Sequence, residues 1–137
     1  MKRDDCIFCK LANGDIPTRS VYEDEEFNVI MDASPASKGH VLILPKEHYS
    51  DIHEIPAETA GKVMMLAKKM ADQLTKNLNA DGINIVQNNG EAAGQTVFHF
   101  HCHLIPRYAN GPSMVTWKPQ ELPAEEMDAI QTQILGK

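Results

Sequence analysis

No run in the chain approaches the roughly 20 consecutive apolar residues that a membrane helix requires, so neither a membrane span nor a membrane partner is expected. The first residues, Met-Lys-Arg-Asp-Asp, lack the apolar core of a signal peptide, which gives a cytoplasmic location as the expectation. Basic residues are in deficit, with 13 Lys and Arg against 19 Asp and Glu and a net charge of −6. Duplex nucleic acid is held mainly by a basic face that neutralises phosphates, so nucleic acid is not an expected partner. A single nucleotide stays open, because a few histidines, backbone N–H groups and a helix N-terminus can hold one phosphate. Cysteine is scarce and odd in number, 3 in all, which argues against a disulfide framework in a reducing compartment. Repeats and low-complexity segments are also missing. What remains is 137 residues with 42% hydrophobic and 23% charged content. These values predict one globular domain over 1–137, with a core from about residue 5 to 107 and a C-terminal tail and helix over 108–137.

Histidine is concentrated where the sequence reads Gly94-Gln-Thr-Val-Phe-His-Phe-His-Cys-His-Leu-Ile-Pro-Arg107. His99, His101 and His103 alternate with Phe98, Phe100, Cys102 and Leu104, the period of a strand with one polar and one apolar face. Three imidazoles then share a face with Cα atoms about 6.6 Å apart, a spacing that suits one phosphate. Imidazole serves as nucleophile, proton carrier or metal ligand. A lone His is usually a satisfied core residue, but three buried together would all need partners, which favours a site.

Upstream, Cys6-Ile-Phe-Cys9 lies in a short segment that ends at Asn13-Gly14. By itself the pair can be half of a zinc site, a redox pair or chance. A thioredoxin-type pair wants a strand before it, and only five residues precede this one, so zinc is the better reading if two further ligands exist. Ser20–Glu23 and Phe27–Met31 read as strands around an acidic turn, and His40 to Pro45 as an interior strand stopped by proline. Ala57–Leu78 reads as a long helix after Pro56, with Ala60, Val63, Met64, Ala67, Met70, Ala71, Leu74 and Leu78 as its apolar stripe. Its methionines are read as core packing rather than as a ligand groove. Ile83 to Asn88 reads as a strand, and Pro123 opens a last helix with Met127, Ile130 and Ile134 on its apolar side.

The segment His-Phe-His-Cys-His-Leu-Ile, with its Gly94-Gln95-Thr96 lead-in and the Gly39-His40-Val41 and Pro45-Lys46 steps, resembles the histidine triad (HIT) family. Cys102 stands where an aliphatic residue is more usual, and a buried Cys behaves as a small apolar group. The resemblance covers Cys6 through Arg107 and implies an α+β, HIT-like fold: an antiparallel sheet of about five strands with one long helix and a C-terminal helix. It also implies a homodimer whose sheets join.

The resemblance further implies a reaction. The middle histidine, His101, would attack the α-phosphorus of a purine nucleotide and form a covalent nucleotidyl-histidine that water opens. His103 would donate to the phosphate, with Gln95, Thr96 and N–H groups of the loop from Gly90 to Gly94, while His40 would help set protonation in the site. Asp32 corresponds to the acidic residue that binds the ribose hydroxyls, although a loop-capping Asp is the simpler alternative. Asn88 matches an amide on the phosphate or leaving group. Phe8, Leu11, Ile16 and Ile30 match positions that sandwich the base, or are ordinary core. A zinc-containing subset begins with Cys-x-x-Cys and pairs it with His48 and His99, which implies a structural Zn²⁺ held by Cys6, Cys9, His48 and His99. The substrate class implied is a nucleoside 5′-phosphoramidate, such as an adenosine 5′-monophosphoramidate, cleaved by a hydrolase. Alternatives are a dinucleoside polyphosphate hydrolase or a nucleotide-binding scaffold with little turnover. The tail after Arg107, including Trp117, departs from the short members of the family.

Overall fold

The computed structural model describes residues 1–112 and 117–137, so Met114, Val115 and Thr116 of the tail lie outside the described residues. The elements are α1 (Ile7–Ala12), β1 (Ser20–Glu23), β2 (Phe27–Met31), β3 (Val41–Pro45), α2 (Ala57–Leu78), β4 (Gly82–Val86), β5 (Cys102–Arg107) and α3 (Ala124–Ile134), with a 3₁₀ turn at Glu91–Ala93. The strands form one sheet in the order β1-β2-β3-β5-β4, every neighbouring pair antiparallel. This is the α+β architecture expected above. Among the described residues no helix is long and apolar enough to cross a membrane.

Local chemistry explains the meander. The β1–β2 turn is closed by Asp24, whose Oδ1 accepts from the N–H groups of Glu26 at 2.8 Å and Phe27 at 2.7 Å. Strands β2 and β3, almost wholly buried, sit at the middle of the sheet because apolar side chains cover both faces. One face carries α2, whose Val63, Leu66, Ala67, Met70 and Leu74 pack on Phe27, Val29, Val41, Ile43, Phe100, Cys102 and Leu104. The other face carries α1, with Ala12, Phe8 and Leu11 against Ile30, Leu42 and Leu44. At the end of α2, Gly39 turns the chain into His40 with φ +90°, and an added Cβ there would collide with Leu78.

Several sequence expectations shift. Met64, placed on the α2 stripe, is exposed, and Leu66 takes its place in the core. The helix stops at Asn79, which adopts a left-handed conformation with φ 54° and turns the chain before Asp81-Gly82 is reached. The interior strand begins at Val41 rather than His40, and β4 runs Gly82–Val86, so that Gln87 and Asn88 have left the sheet. Strand β5 begins only at Cys102. Before it, Phe100 N–H donates to Tyr49 O at 2.6 Å, so the lead-in from His99 to His101 is tied to the loop after β3 and not to a strand. In α3 the apolar side finds no core, with Met127 and Ile134 exposed and Ile130 half-buried. Trp117 is exposed as well.

Candidate functional site

The alternation of the triad survives its partial departure from the sheet. Phe100, Cys102 and Leu104 enter the core under α2, while the histidines turn to the face that carries α1. On that face the three separate into two tasks.

His99, fully buried, belongs to a sulfur-nitrogen cluster. Its Nδ1 lies 3.4 Å from both Cys6 Sγ and Cys9 Sγ, and His48 Nδ1 is 3.4 Å from Cys9 Sγ. All four ligand atoms fall within 4.8 Å of one another. In a tetrahedral S₂N₂ site, Zn–S near 2.3 Å and Zn–N near 2.05 Å place N and S about 3.6 Å apart, close to what is found. The surroundings agree. His99 Nε2 donates to Pro45 O at 2.8 Å, which leaves the Nδ1 lone pair facing the sulfurs, as a metal-bound imidazole requires. Backbone N–H groups point at both sulfurs, Arg3 N to Cys9 Sγ and Cys9 N to Cys6 Sγ, each at 3.3 Å. Burial pushes the Cys9 thiol up, so a thiolate there calls for a cation beside it. The four residues therefore form a cluster able to hold a metal ion.

His101 and His103 instead line a cleft of about 780 Å³ between α1, the ends of β2 and β3, and the loop before the triad. His101 Nδ1 is 2.7 Å from His99 O. A carbonyl can only accept, so the ring proton sits on Nδ1 and the Nε2 lone pair is left free. Phe8 packs edge-on against this ring with centroids 4.9 Å apart. Burial pulls the His101 pKa below that of ordinary imidazole, against a partial counter-pull from its bond to His99 O and from Asp32, so the ring is neutral at pH 7.

A second chain of contacts sets His103. Ala36 N–H donates to His40 Nδ1 at 2.9 Å, and His40 Nε2 lies 2.9 Å from His103 Nδ1 and 3.5 Å from Asp32 Oδ2. A neutral His40 whose Nδ1 accepts must carry its proton on Nε2, which it gives to His103 Nδ1. His103 then carries its own proton on Nε2, as a donor. Asp32, His40 and His103 also meet the distance test for a metal group. The proton pattern argues against one, because a metal-bound His40 would have to turn an Nδ1–H against the Ala36 N–H. Burial lowers the His40 pKa, outweighing the attraction of Asp32. Burial above all, with smaller contributions from the neighbouring His101 and His40 rings, lowers His103 to about 4.

Of the residues expected to contact nucleotide, Phe8, Leu11, Ile30, Asp32, Asn88 and Thr96 all line the cleft. Two do not. Ile16 is half-buried outside it, and Pro17, Thr18 and Arg19 form that wall instead. Gln95 is buried, with its Oε1 accepting Gly90 N–H at 2.8 Å and its Nε2 donating to Ser50 O at 2.7 Å and Val97 O at 3.1 Å. Both donor hydrogens are spent on carbonyls, so Gln95 braces the loop and does not reach a phosphate. The loop amides are similarly committed: Ala93 N and Gln95 N donate to Gly90 O, and Gly94 N to Glu91 O. Near the triad, Thr96, Asn88 and His103 are the side-chain donors among the described lining residues. Arg19, Pro17 and Thr18 gave no signal in the sequence, because a loop wall has no period to read.

A sheet of this order, with three alternating histidines in and just before β5 beside a cleft of about 780 Å³, has the features of the histidine triad class. The HIT domain model matches residues 13–110, and the chain belongs to that family. The match leaves out Cys6 and Cys9. A crystal structure from Streptococcus mutans UA159 is similar at TM-score 0.92 and 40% identity, covering 98% of this chain and 85% of that one. The adenosine 5′-monophosphoramidase of Schizosaccharomyces pombe is 38% identical over 136 residues, 96% of this chain and 97% of its own length. A zinc-bound histidine triad family protein from Mycobacterium smegmatis is similar at TM-score 0.77 and 36% identity, over 96% of each chain.

Proposed function

We propose that the protein hydrolyses nucleoside 5′-phosphoramidates through a covalent intermediate on His101. The observation that carries this reading is the free Nε2 of a neutral His101, its Nδ1 proton held by His99 O, facing a cleft of nucleotide size. In the first step Nε2 attacks the α-phosphorus, the phosphorus–nitrogen bond breaks and the amine leaves with a proton. The ring becomes cationic on attack, and the Nδ1–H bond to His99 O strengthens as that charge develops. His103, proton on Nε2, donates to the phosphate or to the departing nitrogen, with Asn88 and Thr96 beside it. In the second step water attacks phosphorus and gives its proton back to His103 Nε2, the bond from phosphorus to His101 breaks, and the nucleoside 5′-monophosphate is released. Covalent catalysis of this kind divides one difficult displacement into two easier ones. Asp32 Oδ1 already caps Ser34 N–H at 2.8 Å, so Oδ2 is the oxygen left for the ribose hydroxyls.

Cys6, Cys9, His48 and His99 are read as holding Zn²⁺ in a closed structural site. The reading is supported by the N–S distances, by the outer bond of His99 to Pro45 O and by the zinc-bound M. smegmatis relative. Two copies are read as pairing through the β4 edge of the sheet, where Ile85 is exposed; sedimentation of an edge variant such as Ile85→Lys tests this.

The test is intact-protein mass spectrometry after mixing with adenosine 5′-phosphoramidate or, separately, a diadenosine polyphosphate, with AMP release followed in parallel. The expected result is a transient adduct of one nucleotidyl group, with AMP release from the phosphoramidate abolished in His101→Ala. Turnover of the polyphosphate alone would move the assignment to that substrate class, and no adduct with either compound would refute the covalent reading.

A further inference from the structure

The apolar wall of the cleft is made by Phe8, Leu11, Ile30, Met31 and Leu42, which can grip a base by its faces but cannot read its edge. Apart from Asn88, Thr96 and the two histidines, the described lining side chains that carry hydrogen-bonding hydrogens are Thr18 and Arg19. Thr18, a hydroxyl, donates or accepts and so accommodates any base. Arg19 is different. It is the only cationic side chain lining the cleft, it is exposed, and its guanidinium has no hydrogen bond or ion pair among the described residues. Its backbone is fixed, since Met31 N–H donates to Arg19 O at 2.9 Å, which sets Arg19 opposite Met31 and one step from Asp32.

We infer that Arg19 is a specificity residue that selects guanine over adenine. This rests on the nucleotide reading above. A guanidinium offers five donors in a rigid fork and no acceptor. Guanine presents O6 and N7 side by side as two acceptors, which the fork meets bidentately; adenine replaces O6 by an amino group whose hydrogens oppose those of the fork. In this reading the base lies between Phe8 and Ile30 and the ribose on Asp32, and Arg19, a lining residue whose backbone is one step from Asp32, meets the edge of the base. The substrates favoured are guanosine 5′-phosphoramidates.

The experiment compares kcat/KM for guanosine and adenosine 5′-phosphoramidate, together with calorimetric Kd values for GMP and AMP, in the wild-type protein, Arg19→Leu and Arg19→Lys. The wild type is expected to favour guanosine by about tenfold, the lower range for a bidentate Arg–guanine contact, as befits an exposed one. Arg19→Leu should bring the ratio near one by weakening the guanosine arm alone. Arg19→Lys should also lose the preference, since a single ammonium cannot form the fork. A wild-type ratio near one, or a preference that survives in either variant, overturns the assignment. The calorimetry stands apart from turnover: a guanine preference in Kd that vanishes in Arg19→Leu sustains the inference even if neither phosphoramidate is cleaved, whereas cleavage without base preference retains the proposed function and refutes Arg19's role.

Discussion

Replacing Gln95 by Ala separates two roles for a residue that stands beside the histidines of the proposed active site. In the structure its amide closes three bonds, to Gly90 N–H, Ser50 O and Val97 O, and only 2% of it is exposed. Truncation leaves one backbone donor and two carbonyls without their partner at the junction of the loops around Ser50 and Gly90. At about 1 kcal/mol for each lost bond the cost is about 3 kcal/mol, a large share of the 5–15 kcal/mol that holds a typical domain. With an unfolding entropy near 2 cal/mol/K per residue, a chain of this length should melt about 10 °C lower. Scanning calorimetry on metal-replete protein reads the shift directly, and kcat/KM for a phosphoramidate is measured well below the new midpoint. A melting temperature within about 2 °C of wild type, together with turnover reduced by about a hundredfold, would refute the bracing role. Gln95 would then be the phosphate donor that the family resemblance implied.

Three further outcomes are expected. Removing metal with a chelator should lower the melting temperature and weaken AMP binding together, because Phe8 and Leu11 of the cleft ride on the helix that Cys6 caps; complete metal loss with both quantities unchanged would contradict this. Gly39→Ala, which forces φ +90° on a residue with a Cβ aimed at Leu78, should cost about 1–3 kcal/mol in urea unfolding, whereas Gly82→Ala, with open space around it, serves as the near-neutral control. Acid should destabilise the fold through His103. Its folded pKa of about 4 lies below the unfolded value of 6.5, so the unfolded chain binds the extra proton first and stability falls as pH drops from about 6.5 toward 4. Comparing urea midpoints of wild type and His103→Asn across that range checks it, with the variant expected to show the flatter profile.

Much of the frame was legible from residues. The strands Ser20–Glu23 and Phe27–Met31 and the helix Ala57–Leu78 have the bounds that patterning, Pro56 and the acidic turn assign them, because each is ended by a residue with its own conformational demand. The four sulfur and nitrogen ligands meet where the resemblance puts them. What was not legible depends on direction. Gln95 stands next to Thr96, yet one amide is buried in loop carbonyls while its neighbour faces the cleft, and neither composition nor spacing says which way a loop side chain turns. Met64 and Leu66 lie on nearly opposite sides of α2, since two residues turn the helix by about 200°, and a half-turn of error exchanges core for solvent. The triad itself reads as one strand although only His103 lies in one, because alternation persists in an extended segment that has left the sheet.

That segment also explains why the Cys6, Cys9, His48 and His99 cluster and the cleft stand back to back. His99 meets the cysteines through Nδ1 and Pro45 O through Nε2, so both of its ring nitrogens are fixed, and the peptide that carries the ring is fixed with them. Its carbonyl is the group that receives the His101 Nδ1 proton. The orientation and tautomer of His101, the proposed nucleophile, thus depend on a residue whose own ring is held by Cys6, Cys9 and Pro45 O. On the far side Phe8, between Cys6 and Cys9 in sequence, closes edge-on over the same imidazole. A nucleophile held within a fraction of an ångström of its line of attack needs rigid support from both directions. In this fold the short N-terminal helix is too small to supply that support from its own packing, with only Cys9 and Ala12 buried, and the proposed metal site at its N-cap would make up the difference.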